Sequence, residues 1–252
     1  MKHGICKLCL NKKELHNSHI IPDFVFRYIR KSDRQLIAYR EPNKVVLFKN
    51  DSFSEYLLCT ECEKQIKIFE DYVRQFLFDI FNMPIIIIEE PGVTRYSKLK
   101  FNLFKKYLLS VLWRASVSNN KFYSKIDLGT EDNELLRQIL YSSEDITYDI
   151  FPCKLVQIYD DDLEARNLKI DYRSILLQPF QYKEKEIIFV YAGLVWSYYK
   201  NFDATRSIFN GVLSKDGDLV VPKETMKEHP YLFDFIFEAV SKSKKKGKFS
   251  QL

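Results

Sequence analysis

An α+β fold headed by a zinc-bound module is expected from three observations. Four of the five cysteines fall in two Cys-x-x-Cys pairs, Cys6/Cys9 and Cys59/Cys62, in the first quarter of the chain. Two later stretches (61–82 and 98–118) repeat apolar residues at helical spacing, and a third (130–142) opens with a Thr-Glu-Asp helix start. After Asp145 the period changes to alternating or continuous runs of β-branched and aromatic residues, which read as strands of an antiparallel sheet, and Pro230 opens a C-terminal helix. The chain divides accordingly into the zinc module (1–82), an α+β domain of unassigned role (83–241) and a basic tail (242–252).

The cysteine spacing carries the first part of this reading. Two intervening residues let both thiolates of a pair reach one ion from a tight turn, and two such pairs complete a tetrahedral structural zinc site at Cys6, Cys9, Cys59 and Cys62. Disulfides fit poorly: the N-terminus does not look like a secretion signal, and a chain of 252 residues needs no staples. A thioredoxin-like redox motif would require one pair at a strand-to-helix junction rather than two matching pairs. The fifth cysteine, Cys153, reads as a structural thiol near a strand start.

Within the module, Pro22-Asp23-Phe24 starts a short helix running to about Lys31, with Phe24, Tyr28 and Ile29 on one face. Val45–Phe48 and Ser54–Leu58 read as strands, the second entering the Cys59 knuckle. A long helix follows from Glu61 to Asn82, with Ile66, Phe69, Val73, Phe76, Leu77 and Ile80 at helical spacing and Pro84 as its stop. Beyond it, Pro84–Ile88 reads as a buried strand and Pro91-Gly92 as a turn. Lys98–Ser118 is a helix with a single apolar stripe, and Thr130–Ser142 another. Lys154–Tyr159, Arg173–Phe180 and Glu186–Tyr198 are expected as strands. Lys215–Asp218 signals a hairpin turn before Leu219-Val220-Val221, and the helix from Pro230 turns Leu232, Phe233, Ile236, Phe237 and Val240 inward.

The order of motifs is more specific than the elements. A Cys-x-x-Cys knuckle, then Ser18-His19-Ile20-Ile21-Pro22, then Leu58-Cys59-Thr60-Glu61-Cys62-Glu63 ahead of a helix resembles zinc-ribbon members of the HNH (ββα-metal) endonuclease family. The resemblance covers roughly the first third of the chain. It implies a treble-clef/ββα-metal module that hydrolyses phosphodiester bonds in DNA with a catalytic Mg or Mn ion. It implies His19 as the general base, and Glu63 as catalytic metal ligand where the family's last His stands. Ser54 falls near the family's hairpin-fixing Asn, and Ser18 where an Asp, His or Glu ligand usually precedes the base. One of these four positions matches and three depart. Glu14, His16, Asp51, Glu55 and Glu70 lie close enough in sequence to supply missing ligands. A prokaryotic defence or mobile-element role is implied by the same analogy.

The chemistry needs little else. Neutral imidazole suits a base working near pH 7, and a divalent cation offsets charge on the phosphoryl oxygens and the leaving alkoxide. A plainer reading stands beside each residue. His19 can be a hydrogen-bonded histidine of the knuckle. Glu63, Lys67, Glu70 and Arg74 recur at i, i+3 and i+4, as a solvated stripe with Glu70 paired to Arg74 would. A carboxylate at a helix N-terminus is also favoured by the macrodipole. Arg114, in a Trp-Arg-Ala run that resembles the same group, can touch phosphate, although a buried Arg paired to a carboxylate is the preferred reading.

Charge is unevenly placed. Residues 1–124 carry 21 Lys+Arg against 13 Asp+Glu, residues 125–172 carry 5 against 12, and 242–252 add 5 lysines and no acid. Positive charge thus accompanies the zinc module and the tail, as a nucleic-acid partner requires, while a solvated tail is the simpler account of the last lysines. Arg27, Arg30, Lys31, Arg34 and Arg40 make the first helix and its sequel basic, equally a nucleic-acid track or an ordinary surface. No apolar run reaches membrane-spanning length, so a cytoplasmic protein with no membrane partner is expected. A protein partner or homo-oligomer would act through 83–241. Two rival functions are a zinc-finger binding or scaffold protein without catalysis and a nuclease subunit active only beside a partner.

Overall fold

The computed structural model describes residues 2–31, 36–41, 44–48, 53–142, 146–159, 172–182, 186–200 and 210–232; the side chains of 30–31, 36–41, 44–48 and 174 lie outside that description. Strands β1 (Lys2–Ile5) and β2 (Lys12–His19) pair antiparallel around the first cysteine knuckle. Helix α1 (Asp23–Lys31) follows, then an antiparallel ribbon of β3 (Leu36–Glu41) and β4 (Lys44–Phe48). The sequence pattern picks out the second of these two strands only. Strand β5 (Ser54–Cys59) returns along β2, giving a three-stranded sheet in the order β1-β2-β5. Helix α2 (Thr60–Phe78) leaves directly from Cys59 and buries Ile66, Phe69, Val73 and Phe76. It stops short of the expected Asn82, because Asp79 departs from helical geometry and Ile80–Asn82 tighten into a 3-10 turn ahead of Pro84.

The second half is built on a seven-stranded sheet. Its strands are β6 (Ile86–Glu90), β7 (Val93–Ser97), β8 (Cys153–Ile158), β9 (Leu177–Tyr182), β10 (Glu186–Tyr191), β11 (Leu194–Tyr199) and β12 (Leu219–Glu224), ordered β6-β7-β12-β8-β11-β10-β9. The expected antiparallel sheet is corrected to a mixed one: β12 runs parallel to β8, pairing Lys223 with Gln157 and Glu224 with Ile158. Parallel pairing leaves no local sequence mark, since its partner lies on the far side of a long connection. Two further expectations change. Glu186–Tyr198 is a hairpin rather than one strand, turning at Ala192 and Gly193, which both have positive φ; an unbroken apolar run hides the turn. The stretch 173–176 is a 3-10 turn at Tyr172–Ser174 leading into β9. Finally, β6 is an edge strand with Ile86 46% and Ile88 50% exposed, so 84–88 is not buried.

Helices α3 (Phe101–Val117) and α4 (Gly129–Tyr141) lie in sequence between β7 and β8 of the large sheet. The single stripe expected on α3 is too narrow. Thirteen consecutive or near-consecutive positions from Phe101 to Ala115 are buried on every face, as befits a helix passing through the middle of a core. Its polar groups are satisfied there: Lys105 Nζ donates to the carbonyls of Tyr148 and Phe151, Lys106 Nζ to that of Ser142, and Tyr107 Oη meets Tyr191 Oη at 3.0 Å. One apolar cluster runs without a break from Cys6 to Val221 and includes α2, α3 and one face of the large sheet. A smaller cluster of Val156, Ile175, Val190 and Leu232 covers part of the other face. Residues 230–232 are helical and Leu232 is buried, while the rest of the expected last helix and the basic tail lie outside the described residues. Among the described residues no helix is long and apolar enough to cross a membrane.

Candidate metal centre and adjoining cleft

The two knuckles meet where the chain folds back on itself. The turn after β1 carries Cys6 and Cys9, and the junction of β5 with α2 carries Cys59 and Cys62. Pairing of Leu15 with Cys59 sets the register that brings the second knuckle beneath the first. The first turn is closed by Leu10 N–H to Cys6 O, with Leu10 at φ 61, and by Cys6 N–H to Asn11 O. All four sulfurs lie within 4.8 Å of one another. Cys9 Sγ and Cys59 Sγ are 3.8 Å apart, which matches the edge, about 3.8 Å, of a tetrahedron with Zn–S bonds near 2.3 Å. No disulfide joins them. The amide of Cys59 donates to Cys6 Sγ at 3.3 Å.

Burial opposes a charge on Cys9, but the Asn11 amide and the neighbouring thiols as donors bring it down to about 7. Burial lifts Cys59 to about 11 and, with the neighbouring sulfurs, pushes Cys62 higher still. A divalent cation removes that conflict, and Cys6, Cys9, Cys59 and Cys62 form a group that can hold a structural zinc.

Beside this centre lies a cleft of about 700 Å³. One wall is α1, through Asp23, Phe24, Arg27 and Tyr28; the other is a single face of α2 from Glu63 to Phe78, and His19 and Arg114 complete the lining. His19 ends β2, and the β2–β5 register places it opposite Ser54. Glu63 sits in the first turn of α2, one residue after the last zinc cysteine. The two residues singled out from the motif thus line one cavity. Ser18 is buried at 1% exposure and is not a free ligand: its Oγ donates to Glu63 Oε1 and accepts the Leu58 amide at 3.2 Å. The other Glu63 oxygen has no partner among the described residues. Asn17 Nδ2 donates to Ser54 Oγ at 2.8 Å, so an amide braces the two strands from β2 rather than from β5.

Two charged chains complete the cleft. His19 Nε2 stands 3.6 Å from Asp23 Oδ1, and Asp23 Oδ2 accepts from Arg27 Nε at 2.7 Å. Deeper in, Arg114 reaches from α3 with 1% of its side chain exposed, donates Nη1 to the carbonyl of His19, and faces Glu70 Oε1 through Nη2 at 2.8 Å. The Arg114–Glu70 contact is an ion pair rather than an aligned hydrogen bond, since Glu70 Oε1 meets no donor at hydrogen-bond angles. Burial raises the Glu70 pKa despite that pairing. The expected Glu70–Arg74 surface pair is therefore corrected: Glu70 turns inward to Arg114, because α2 is covered there by α3. Arg74 is exposed and has no ion-pair partner among the described residues.

The other ligand candidates are dispersed. His16 Nε2 meets Thr60 Oγ1 at 2.7 Å, outside the cleft. Glu55 is consumed by Ser118 Oγ, the Asn119 amide N–H and Asn119 Nδ2 at 2.6–2.9 Å; these donors outweigh burial and hold its pKa below the usual value. Glu14 is exposed on β2, and Asp51 lies outside the described residues. Among the described residues the four cysteines are the one group of three or more ligating side chains close enough to share an ion. Sequence reasoning missed Asp23, although an acid four residues after His19 at the start of a helix is a legible signal. Comparison with family models, with curated proteins and with solved structures finds no match.

Proposed function

We propose that the chain is an HNH-like, metal-dependent endonuclease acting on DNA, its zinc holding a ββα-metal module together. The observation that carries this reading is the shared cleft: His19 at the end of β2 and Glu63 at the start of α2 face one cavity, on either side of a zinc-clamped corner. The resemblance of Ser18-His19-Ile20-Ile21-Pro22 and Cys62-Glu63 to that family supplies the roles. His19 takes the proton from the attacking water, and Asp23, 3.6 Å away, stabilises the imidazolium that results. Arg114 fixes the His19 backbone, and Ser18 fixes the Glu63 carboxylate through one oxygen, while the other has no partner among the described residues. A single carboxylate fits Mg or Mn, which take few protein ligands and complete their shell with water and substrate phosphate. Such an ion would supply charge compensation for the phosphoryl oxygens and the leaving oxygen.

The test is cleavage of supercoiled plasmid with added Mg²⁺ or Mn²⁺. The wild type should nick or linearise DNA. His19→Ala should slow it by about 10²- to 10⁴-fold, and Glu63→Ala should abolish the metal response, both with zinc content unchanged. A wild type that is inert under both ions contradicts the stand-alone enzyme. One observation favours the rival reading of a binding or scaffold protein: the cleft's acids and bases are largely paired to each other, and among the described residues no second ligand group is gathered there. DNA binding without cutting, indifferent to His19, is its signature.

A further inference from the structure

The two edges of the seven-stranded sheet are finished differently. An edge strand turns a row of N–H and C=O groups outward, and proteins close such rows with proline, bulges, charges or a covering segment. Strand β9, at one edge, is closed in this way. Pro179 stands within it and lacks an N–H, buried Gln178 donates its Nε2 to the carbonyl of Lys121 at 3.2 Å, and β3 packs against it. Strand β6, at the other edge, has none of these devices. Its five residues pair with β7 in one unbroken register, from Ile86 with Ser97 to Glu90 with Val93. No hydrogen-bonded neighbour lies on its outer side among the described residues. Ile86, Ile87 and Ile88 make up its first part, and Ile86 and Ile88 stand about half exposed on one face. Phe81, shortly ahead of the strand, is 93% exposed. The charges of β6, Glu89 and Glu90, lie together at its end and are held within the chain. Lys223 and Thr94 engage Glu89, and Arg95 Nε reaches Glu90 at 3.0 Å.

We infer that β6 pairs antiparallel with β6 of a second copy of this chain, joining two seven-stranded sheets across a two-fold axis. Backbone geometry limits the register. Residues opposite each other in an antiparallel pair both turn their N–H and C=O groups toward the partner strand or both away, so two copies of one strand can meet only at every second offset. With Ile87 on the axis, Ile86 faces Ile88 of the second copy, Ile87 faces its counterpart, and Glu89 falls opposite Ile85. The next offset sets Ile86 against Glu90 and Ile87 against Glu89, and the one after sets Glu89 against its own counterpart, where like charges repel. The offset in the other direction draws Pro84, outside the strand, into the pair with Ile88. The strand is thus complementary to itself. Each copy supplies both the apolar template and the apolar strand that covers it, its acids compensated by its own Lys223 and Arg95. Such a contact is isologous and closes at two chains, since β9 offers no second open edge. It is independent of the cleft and of the nuclease reading.

The test is the mass of the full chain by sedimentation equilibrium from roughly 1 to 200 μM, the range in which small interfaces assemble. It should rise from one chain toward two and stop there. Ile88→Lys puts a charge on a half-exposed edge position; it should weaken the association by at least about tenfold and leave the melting temperature unchanged. Ile86→Lys, on the same face, should do the same and gives the second reading if Ile88→Lys lowers stability. Ile68→Lys, at an exposed isoleucine of α2, should leave the dimer intact, which separates pairing at β6 from general apolar association. A single chain at every concentration, a dimer indifferent to both β6 substitutions, or one weakened equally by Ile68→Lys overturns the inference. So does a mass that climbs beyond two chains.

Discussion

Ser18 shows how much rests on one side chain next to the base. Its hydroxyl is buried, takes the Leu58 amide and gives its proton to Glu63, so it couples the β5 backbone to the carboxylate that faces the cleft. Ser18→Ala strands a buried N–H and is expected to cost about 1–3 kcal/mol in urea unfolding; a loss below a few tenths would show that water replaces the contact. Arg114 is the sharper case. With 1% of its side chain exposed it compensates Glu70, whose pKa burial raises. A carboxylate with a raised folded pKa favours the folded state most below its unfolded value near 4.5, and that contribution is lost as pH rises through the folded pKa. Arg114→Met removes the compensating cation and is predicted to destabilise by about 3–5 kcal/mol at pH 8. The penalty should shrink as pH falls toward 4 and Glu70 becomes protonated. Tm against pH for the two proteins checks this, and a pH-independent gap would assign the loss to packing.

At the scale of elements, a zinc ion held by the four cysteines would fasten the turn between β1 and β2 to the junction of β5 with α2. Structural zinc contributes about 10–16 kcal/mol of binding free energy in finger peptides, comparable to the whole stability of a domain. Chelation is therefore expected to abolish amide protection in 2–19 and 54–62 first, with release of one zinc per chain, read by hydrogen exchange and a colorimetric zinc titration. Protection that outlasts the metal would show that the apolar core alone holds this corner. Elements of this kind were legible where local chemistry marks them: the paired cysteines, Pro22 before α1, Pro91-Gly92 between β6 and β7. They were not where only distant partners decide. Nothing in Leu219–Glu224 announces its parallel pairing with β8, and nothing in 36–41 marks a strand. Ile86 and Ile88 suit a buried strand, yet position at the sheet edge leaves them half exposed. The candidate site divides in the same way: His19, Glu63 and the cysteines are visible in motifs, whereas the inward turn of Glu70 depends on α3 packing over α2.

For the whole molecule, Ile66, Phe69, Val73 and Phe76 of α2 belong to the same apolar cluster as Phe104, Leu108 and Val111 of α3, on the other side of the boundary expected near residue 82. A fragment of residues 1–82, even with zinc, would expose that face of α2. It is predicted to show no cooperative melting by near-UV circular dichroism, whereas the full chain melts in one transition; a cooperatively folded fragment would make the module independent. The cleft itself needs both halves, since Arg114 of α3 holds the carbonyl of His19. The most direct measurement is Mn²⁺ binding followed by electron paramagnetic resonance on zinc-loaded protein. One Mn²⁺ per chain is predicted, lost in Glu63→Ala with the zinc retained. Absence of binding, or binding that ignores Glu63, would contradict a metal-dependent active site in this cleft.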